Sequence, residues 1–168
     1  MKIVLRVLGG LVGAVVVLML AVFVYGRFSD GPVGFFSGGP LASGEMVTTP
    51  VADWGFATDV DTIEFQLVEP PRSRTVWILV EDGRAYIPCG IPNFTLWKKW
   101  PHEALEDGRA IVRIEGKRYP LELVKVDEPG LRAALLANVA EKYGLPPGGE
   151  AADDPDAVWF FRLDPRTS

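Results

Sequence analysis

The chain has 168 residues, a net charge of −5, a single cysteine and a single histidine. An acidic chain of this kind is not expected to bind nucleic acid, which prefers a basic surface. A single cysteine excludes an internal disulfide, and the sequence lacks the clustered ligands at short spacing that a structural zinc site requires.

Residues 7–25, VLGGLVGAVVVLMLAVFVY, contain no charged side chain. As a helix they would span roughly 28 Å, close to the thickness of the bilayer's hydrocarbon core. The run is longer than the roughly 7–15 apolar residues of a signal peptide, and no small-x-small cleavage site follows it. We therefore predict an uncleaved transmembrane helix that contacts the lipid bilayer through residues 7–25.

Charged residues on either side of this helix predict its orientation. Lys2 and Arg6 precede it, whereas Arg27 follows it, together with Asp30 and Glu45. The positive-inside rule then places the amino terminus in the cytoplasm. We predict a single-pass protein of the cell membrane whose carboxy-terminal domain is extracytoplasmic.

Composition divides the chain into three segments. Residues 1–26 are the predicted anchor, and residues 27–59 are a juxtamembrane spacer rich in glycine and proline. Residues 60–168, where a periodic pattern of apolar residues begins, are the predicted domain. The chain beyond the anchor is long enough for one domain with a core but too short for two.

Alternation and turn residues predict the strands of this domain. In residues 61–68 apolar and polar side chains alternate, as is typical of a half-buried strand. Asp82-Gly83 joins two apolar runs within residues 74–89, and Glu115-Gly116 joins two more within residues 109–127. Each pair predicts the turn of a hairpin, and Asp82-Gly83 is the stronger signal because a type I′ turn requires positive φ.

Two helices and a last strand complete the prediction. A short helix is expected over residues 101–107, and a longer one begins after Asp127 as its N-cap and ends at Gly144. Residues 157–163 are apolar enough for a central strand. One face of the longer helix carries an apolar stripe that must lie on the sheet, formed by Leu131, Leu135, Val139 and Tyr143.

The predicted order is strand, hairpin, short helix, hairpin, helix, strand. Six strands of this length, joined mostly by tight turns, bury their edges best by closing into a small barrel. We predict a mainly β (α+β) domain, a six-stranded barrel with one packed helix, preceded by the transmembrane helix.

This order resembles the split β-barrel of the pyridoxamine phosphate oxidase-like and deazaflavin-dependent nitroreductase-like families. The resemblance covers roughly residues 60–164 and is one of topology, so it speaks to the fold. The similar elements are Arg74-Thr75-Val76-Trp77, the Asp82-Gly83 hairpin, the hairpin of residues 109–126, the helix of residues 130–143, and the closing strand around Trp159.

The resemblance implies a flavin-type cofactor, FMN or the deazaflavin F420, and a homodimer with the cofactor at its interface. In these families a basic residue early in the second strand and a Ser/Thr–Lys-type segment after the third hold the flavin phosphate. The loosely matching positions are Arg72 or Arg74, and Thr95 with Lys98 or Lys99. The Ser-x-Lys pattern of the FMN enzymes and the glycine-tryptophan-asparagine pattern of the F420 enzymes are both absent from the sequence.

Residues 89–105, CGIPNFTLWKKWPHEAL, combine aromatic and basic side chains. Aromatic faces and amino groups can together bind an anionic group such as phosphate or carboxylate. Alternatively, the tryptophans plug the end of the barrel and the lysines are solvated. The candidate cofactor- or ligand-binding residues are Arg74, Thr95, Trp97, Lys98, Lys99 and Trp100.

The same loop holds both Cys89 and His102. A catalytic pair would require a lowered thiol pKa and hydrogen-bonding geometry, whereas a lone free cysteine is more often a small buried apolar residue. We favour the second interpretation and predict no catalytic residues. Two functional hypotheses remain: a membrane-tethered module that binds a small ligand or a partner, and a flavin- or F420-dependent oxidoreductase.

Overall fold

The computed structural model describes residues 2–34, 36–96, 98–145 and 154–166. Helix α1 extends over Lys2–Phe28. Within it, the 23 residues Arg6–Phe28 are strongly apolar, and their most apolar 18-residue stretch is not buried against the rest of the chain. Such a helix is long and apolar enough to cross a membrane, a property that it shares with N-terminal signal sequences.

The described residues after α1 form one eight-stranded sheet, two further α-helices and a short 3-10 helix over Gly55–Ala57. Helix α2 is Trp100–Glu106 and helix α3 is Pro129–Tyr143. The strands are β1 (Glu45–Met46), β2 (Thr62–Leu67), β3 (Ser73–Trp77), β4 (Leu79–Glu81), β5 (Arg84–Gly90), β6 (Arg109–Ile114), β7 (Lys117–Lys125) and β8 (Val158–Pro165).

The sheet closes into a split barrel because one strand changes its partner. The strand order is β3-β2-β6-β7-β8-β5-β4, with β1 parallel to β7. β3 and β4 form one continuous strand interrupted at Ile78; its first half pairs with β2 and its second half with β5. β3 pairs with β2, whereas β5 pairs with β8. β3 and β5 therefore diverge, and the gap between them is the split of the barrel. The mainly β barrel with a packed helix is therefore confirmed. The predicted count of six strands was wrong, because residues 73–81 form two strands and the segment before residue 60 adds β1.

The bend at Ile78 is held by the end of α3. The change of partner leaves the buried backbone groups of Ile78 outside both ladders, where they need other hydrogen-bond partners. The Ile78 N–H donates to the Tyr143 hydroxyl oxygen at 3.1 Å. The Ile78 carbonyl accepts from Lys142 Nζ at 3.0 Å and lies 2.8 Å from the Tyr143 hydroxyl. The Tyr143 ring also stacks on Trp77 with 4.2 Å between centroids.

Tyr143→Phe is expected to lower the free energy of unfolding by about 1–3 kcal/mol, because it leaves the Ile78 N–H buried without a partner. Denaturant titration of the detergent-solubilised protein measures the change. Tyr119→Phe is the matched control, since the Tyr119 hydroxyl hydrogen-bonds to no described residue and its loss should cost no more than about 0.5 kcal/mol. Equal losses for the two variants would contradict the role of Tyr143 at the bend.

The local signals in the sequence account for most of these elements. Asp82 and Glu115 have φ of 49°, and the glycines that follow them have φ of 71° and 76°, as the predicted hairpin turns require. The stripe on α3 packs on the outer face of the sheet, where Leu135 and Val139 are buried against β4, β5 and β8. The predicted N-cap was wrong: Glu128 is the N-cap of α3, and Asp127 pairs with Lys125 Nζ at 3.0 Å.

The segment predicted as a spacer, residues 27–59, packs on the barrel. Ser73 Oγ donates to the Gly39 carbonyl at 2.6 Å, and the Leu41 N–H donates to the side-chain oxygen of Gln66. Trp54 and Ala57 are buried in the barrel core. The start of the domain at residue 60 stays a prediction.

Candidate functional site

A cavity of about 680 Å³ occupies the split between β3 and β5. Its size lies within the range of about 300–1,000 Å³ that is usual for small-ligand pockets. The loop between β5 and α2 and the first turns of α2 form its other side. Its charged lining residues are Arg72, Arg74, Lys98, Lys99 and Glu103.

Arg74 is the charged residue held most deeply in this cavity. Its position on β3 is opposite Phe65 on β2. Its guanidinium carbon lies 5.5 Å from the ring centroid of Phe65 and 5.8 Å from that of Trp100. Within the described part of the chain, Arg74 Nη1 is buried and has no hydrogen-bond partner.

Burial destabilises the charged form of the Arg74 side chain but does not neutralise it at physiological pH. Burial lowers the pKa of Arg74 to about 10, while the negative charge of Glu103 acts in the opposite direction. A group with that pKa is still protonated at neutral pH. The site therefore holds a desolvated cation with an unused donor, an arrangement that suits an anionic partner.

The structure brings four of the six predicted binding residues to this cavity: Arg74, Lys98, Lys99 and Trp100 line it. Lys98 Nζ donates to the Gly90 carbonyl at 2.6 Å, and Lys99 is exposed. Thr95 is exposed in the same loop and is not part of the lining, and Trp97 lies outside the described residues. Their assignment to ligand binding stays a prediction.

Trp100 also belongs to the barrel core. Its ring makes an edge contact with Phe65 at 5.1 Å and a tilted contact with Phe161 at 5.3 Å between centroids. The side chain thus closes the end of the barrel, as one of the two alternatives for the tryptophans predicted. Glu103 was not among the predicted residues, although its spacing of three from Trp100 places it on the same face of α2.

Cys89 and His102 do not form a hydrogen-bonded pair. The ring Nε2 of His102 lies 3.2 Å from the Pro92 carbonyl oxygen, and the His102 ring makes an edge contact with Trp159. Burial raises the pKa of the Cys89 thiol to about 11, although the nearby positive charges of Lys98 and Arg74 act in the opposite direction. The thiol is therefore neutral at physiological pH, which does not favour a nucleophile.

Cys89 is expected to react with a disulfide reagent at least about 10-fold more slowly in the folded protein than in denaturant at pH 8. Its raised pKa lowers the thiolate fraction, and the greater nucleophilicity of a more basic thiolate offsets only part of that loss. Burial slows the reaction further. The measurement is the rate of thiol release with and without guanidinium. An exposed thiol at Leu96→Cys in a Cys89→Ser background is the positive control. Equal rates for Cys89 in both conditions would contradict this account.

No family model and no curated protein matches the chain. Among solved structures it is similar to a candidate pyridoxamine 5′-phosphate oxidase from Listeria innocua, with 14% identity, a TM-score of 0.48, and coverage of 64% of this chain and 85% of that one. A conserved hypothetical protein from Mycobacterium tuberculosis has 17% identity and a TM-score of 0.47, with coverage of 63% and 72%. An F420 reductase has 10% identity and a TM-score of 0.38, with coverage of 67% and 94%. All three identities are below 25% and all three TM-scores are below 0.5, so these similarities carry no conclusion about the function of this chain. The predicted split-barrel topology is seen in the strand order of the chain itself.

Proposed function

We propose that this chain is a single-pass membrane-anchored protein whose split barrel binds a small anionic ligand between β3 and β5. The observation that carries the proposal is the buried Nη1 of Arg74, which lacks a partner among the described residues at the wall of a ligand-sized cavity. The apolar helix α1 supports the anchor.

An anion fits this site better than a neutral or cationic ligand. The ion pairs within the described ranges do not include Arg74, and Glu103 influences its pKa from the cavity wall without pairing with it. A phosphate or carboxylate would accept charge-assisted hydrogen bonds from the guanidinium and relieve its desolvation. Lys98 and Lys99 add positive potential beside it.

The second candidate is a flavin- or F420-dependent oxidoreductase. The donors present fit the phosphate of such a cofactor: Arg74 would hold it at the inner wall, and Lys98 or Lys99 at the loop. When bound, the cofactor would supply hydride transfer. This candidate also proposes a homodimer, which size-exclusion chromatography with light scattering would detect.

Thermal unfolding of the detergent-solubilised full chain separates the two candidates. Inorganic phosphate, citrate, FMN and F420 are the anionic probes, and riboflavin, which has the FMN ring without the phosphate, is the matched control. The proposal predicts a higher Tm with at least one anion and no change with riboflavin. A visible absorption band in the protein as purified, before any probe is added, together with a Tm shift limited to FMN or F420, would favour the oxidoreductase. The absence of any shift would contradict anion binding.

The membrane assignment has an independent test. Alkaline extraction of membranes should leave the full chain in the pellet, since α1 contacts lipid through its whole apolar length. An alkaline phosphatase fused after Ser168 should be active, because that enzyme requires an oxidising, extracytoplasmic compartment. Release into the supernatant would contradict the anchor, and an inactive phosphatase would contradict the orientation.

A further inference from the structure

The segment between β5 and α2 exposes three large apolar side chains within six residues. Ile91 is 70% exposed, Phe94 53% and Leu96 87%. We call residues 91–96 the apolar loop. A soluble domain rarely leaves a contiguous apolar patch in water without a partner, and such patches mark protein or membrane contacts.

Backbone hydrogen bonds fix the shape of the apolar loop. The Ile91 N–H donates to the Ala157 carbonyl at 2.9 Å, and the Lys98 N–H donates to the Phe94 carbonyl at 3.0 Å. Ile91 also has a φ of 51°, a conformation that a β-branched residue rarely adopts. An isoleucine is therefore exposed to solvent in a strained backbone conformation, which glycine or asparagine would adopt at a lower energetic cost.

The apolar loop lies beside the point where the chain leaves α1. Ile91 and Leu96 line the same cavity as Ser37. The Ser37 carbonyl oxygen is 3.3 Å from the position that a Cβ on Gly26, near the end of α1, would occupy. The segment that follows the apolar helix and the apolar loop thus border the same cavity.

We propose that the apolar loop inserts into the surface of the bilayer that α1 crosses. Ile91, Phe94 and Leu96 would enter the boundary between headgroups and acyl chains, with Lys98 and Lys99 next to anionic lipid phosphates. The contact fixes the orientation of the barrel, with the mouth of the cavity beside the lipid. This inference rests on the membrane anchor of the proposed function.

Fluorescence of the full chain in vesicles tests the contact. In a Cys89→Ser background, an environment-sensitive fluorophore is attached to Leu96→Cys, Val16→Cys or Ala52→Cys. Val16 lies within α1. Ala52 lines a separate cavity together with Gly83, which precedes the first residue of β5, whereas the apolar loop follows Gly90, the last residue of β5. The vesicles contain phosphatidylcholine, with or without phosphatidylglycerol, and nitroxide-labelled lipids that quench at the interface or in the acyl region.

The proposal predicts that the label at Leu96 shifts to the blue and is quenched from the interface, more strongly with phosphatidylglycerol. The label at Val16 is quenched from the acyl region, and the label at Ala52 is unaffected. A quenched Val16 with an unquenched Leu96 would overturn the loop contact and leave the anchor intact. An unquenched Val16 would overturn the anchor itself, and the loop contact with it. Quenching of Ala52 equal to that of Leu96 would also overturn a contact specific to this loop.

Discussion

Arg74→Met is expected to abolish the rise in Tm caused by anionic ligands, while the ligand-free protein becomes more stable by about 1 kcal/mol. Methionine fills the space beside Phe65 and Trp100 without a charge to desolvate. The loss of two cation–π contacts offsets part of the gain, since each is worth about 0.5–1 kcal/mol in a partly solvated site. Function and stability therefore oppose each other at this position.

Arg72→Met is the matched control for this prediction. Arg72 lines the same cavity but is less buried than Arg74, so its loss should weaken anion binding without abolishing it. The comparison is the ligand-induced change in Tm of the wild type, Arg74→Met and Arg72→Met. Full retention of the ligand-induced shift in Arg74→Met would contradict the proposed site. A loss of more than about 3 kcal/mol without ligand would show that the guanidinium is a structural group already paired within the protein.

Trp100→Ala is expected to reduce the free energy of unfolding by about 3–5 kcal/mol, the usual cost of removing a buried aromatic ring. The ring packs in the barrel core against Phe65 and Phe161. Urea denaturation measures the loss. Phe94→Ala, in the adjacent loop, removes an aromatic ring that is 53% exposed and should change stability by no more than about 0.5 kcal/mol.

A loss below about 1 kcal/mol for Trp100→Ala would contradict its role in the core. Trp100→Phe should retain most of the stability, because a smaller ring still packs between the two phenylalanines. Binding measured on Trp100→Phe then separates the contribution of the tryptophan to the core from any contribution to the ligand site.

The barrel could be predicted because its signals are local. The Asp82-Gly83 and Glu115-Gly116 turns and the alternation of residues 61–68 are each contained in a few consecutive residues. The bend at Ile78 could not be predicted, since residues 73–81 have the pattern of one uninterrupted strand. The change of partner depends on a tyrosine 65 positions away along the chain.

The candidate site could be predicted in part, for a similar reason. The composition of the loop indicated Lys98, Lys99 and Trp100, which do meet Arg74 at one cavity. The missing hydrogen-bond partner of Arg74 Nη1 could not be predicted, because it depends on how the neighbouring strands and helices are arranged in space. The packing of residues 27–59 shows no periodic signal, because its contacts are scattered hydrogen bonds, such as that from Ser73 to Gly39, and isolated buried side chains, such as Trp54.

An experimental structure of the protein soaked with tungstate, a heavy phosphate analogue, tests anion binding at Arg74 most directly. The account predicts an anomalous peak from tungsten in the split between β3 and β5, with a tungstate oxygen within hydrogen-bonding distance of Arg74 Nη1. The same soak of Arg74→Met should give no peak there. A wild-type structure in which Nη1 pairs with a protein carboxylate such as Glu103, and in which the cavity contains no tungstate, would contradict it.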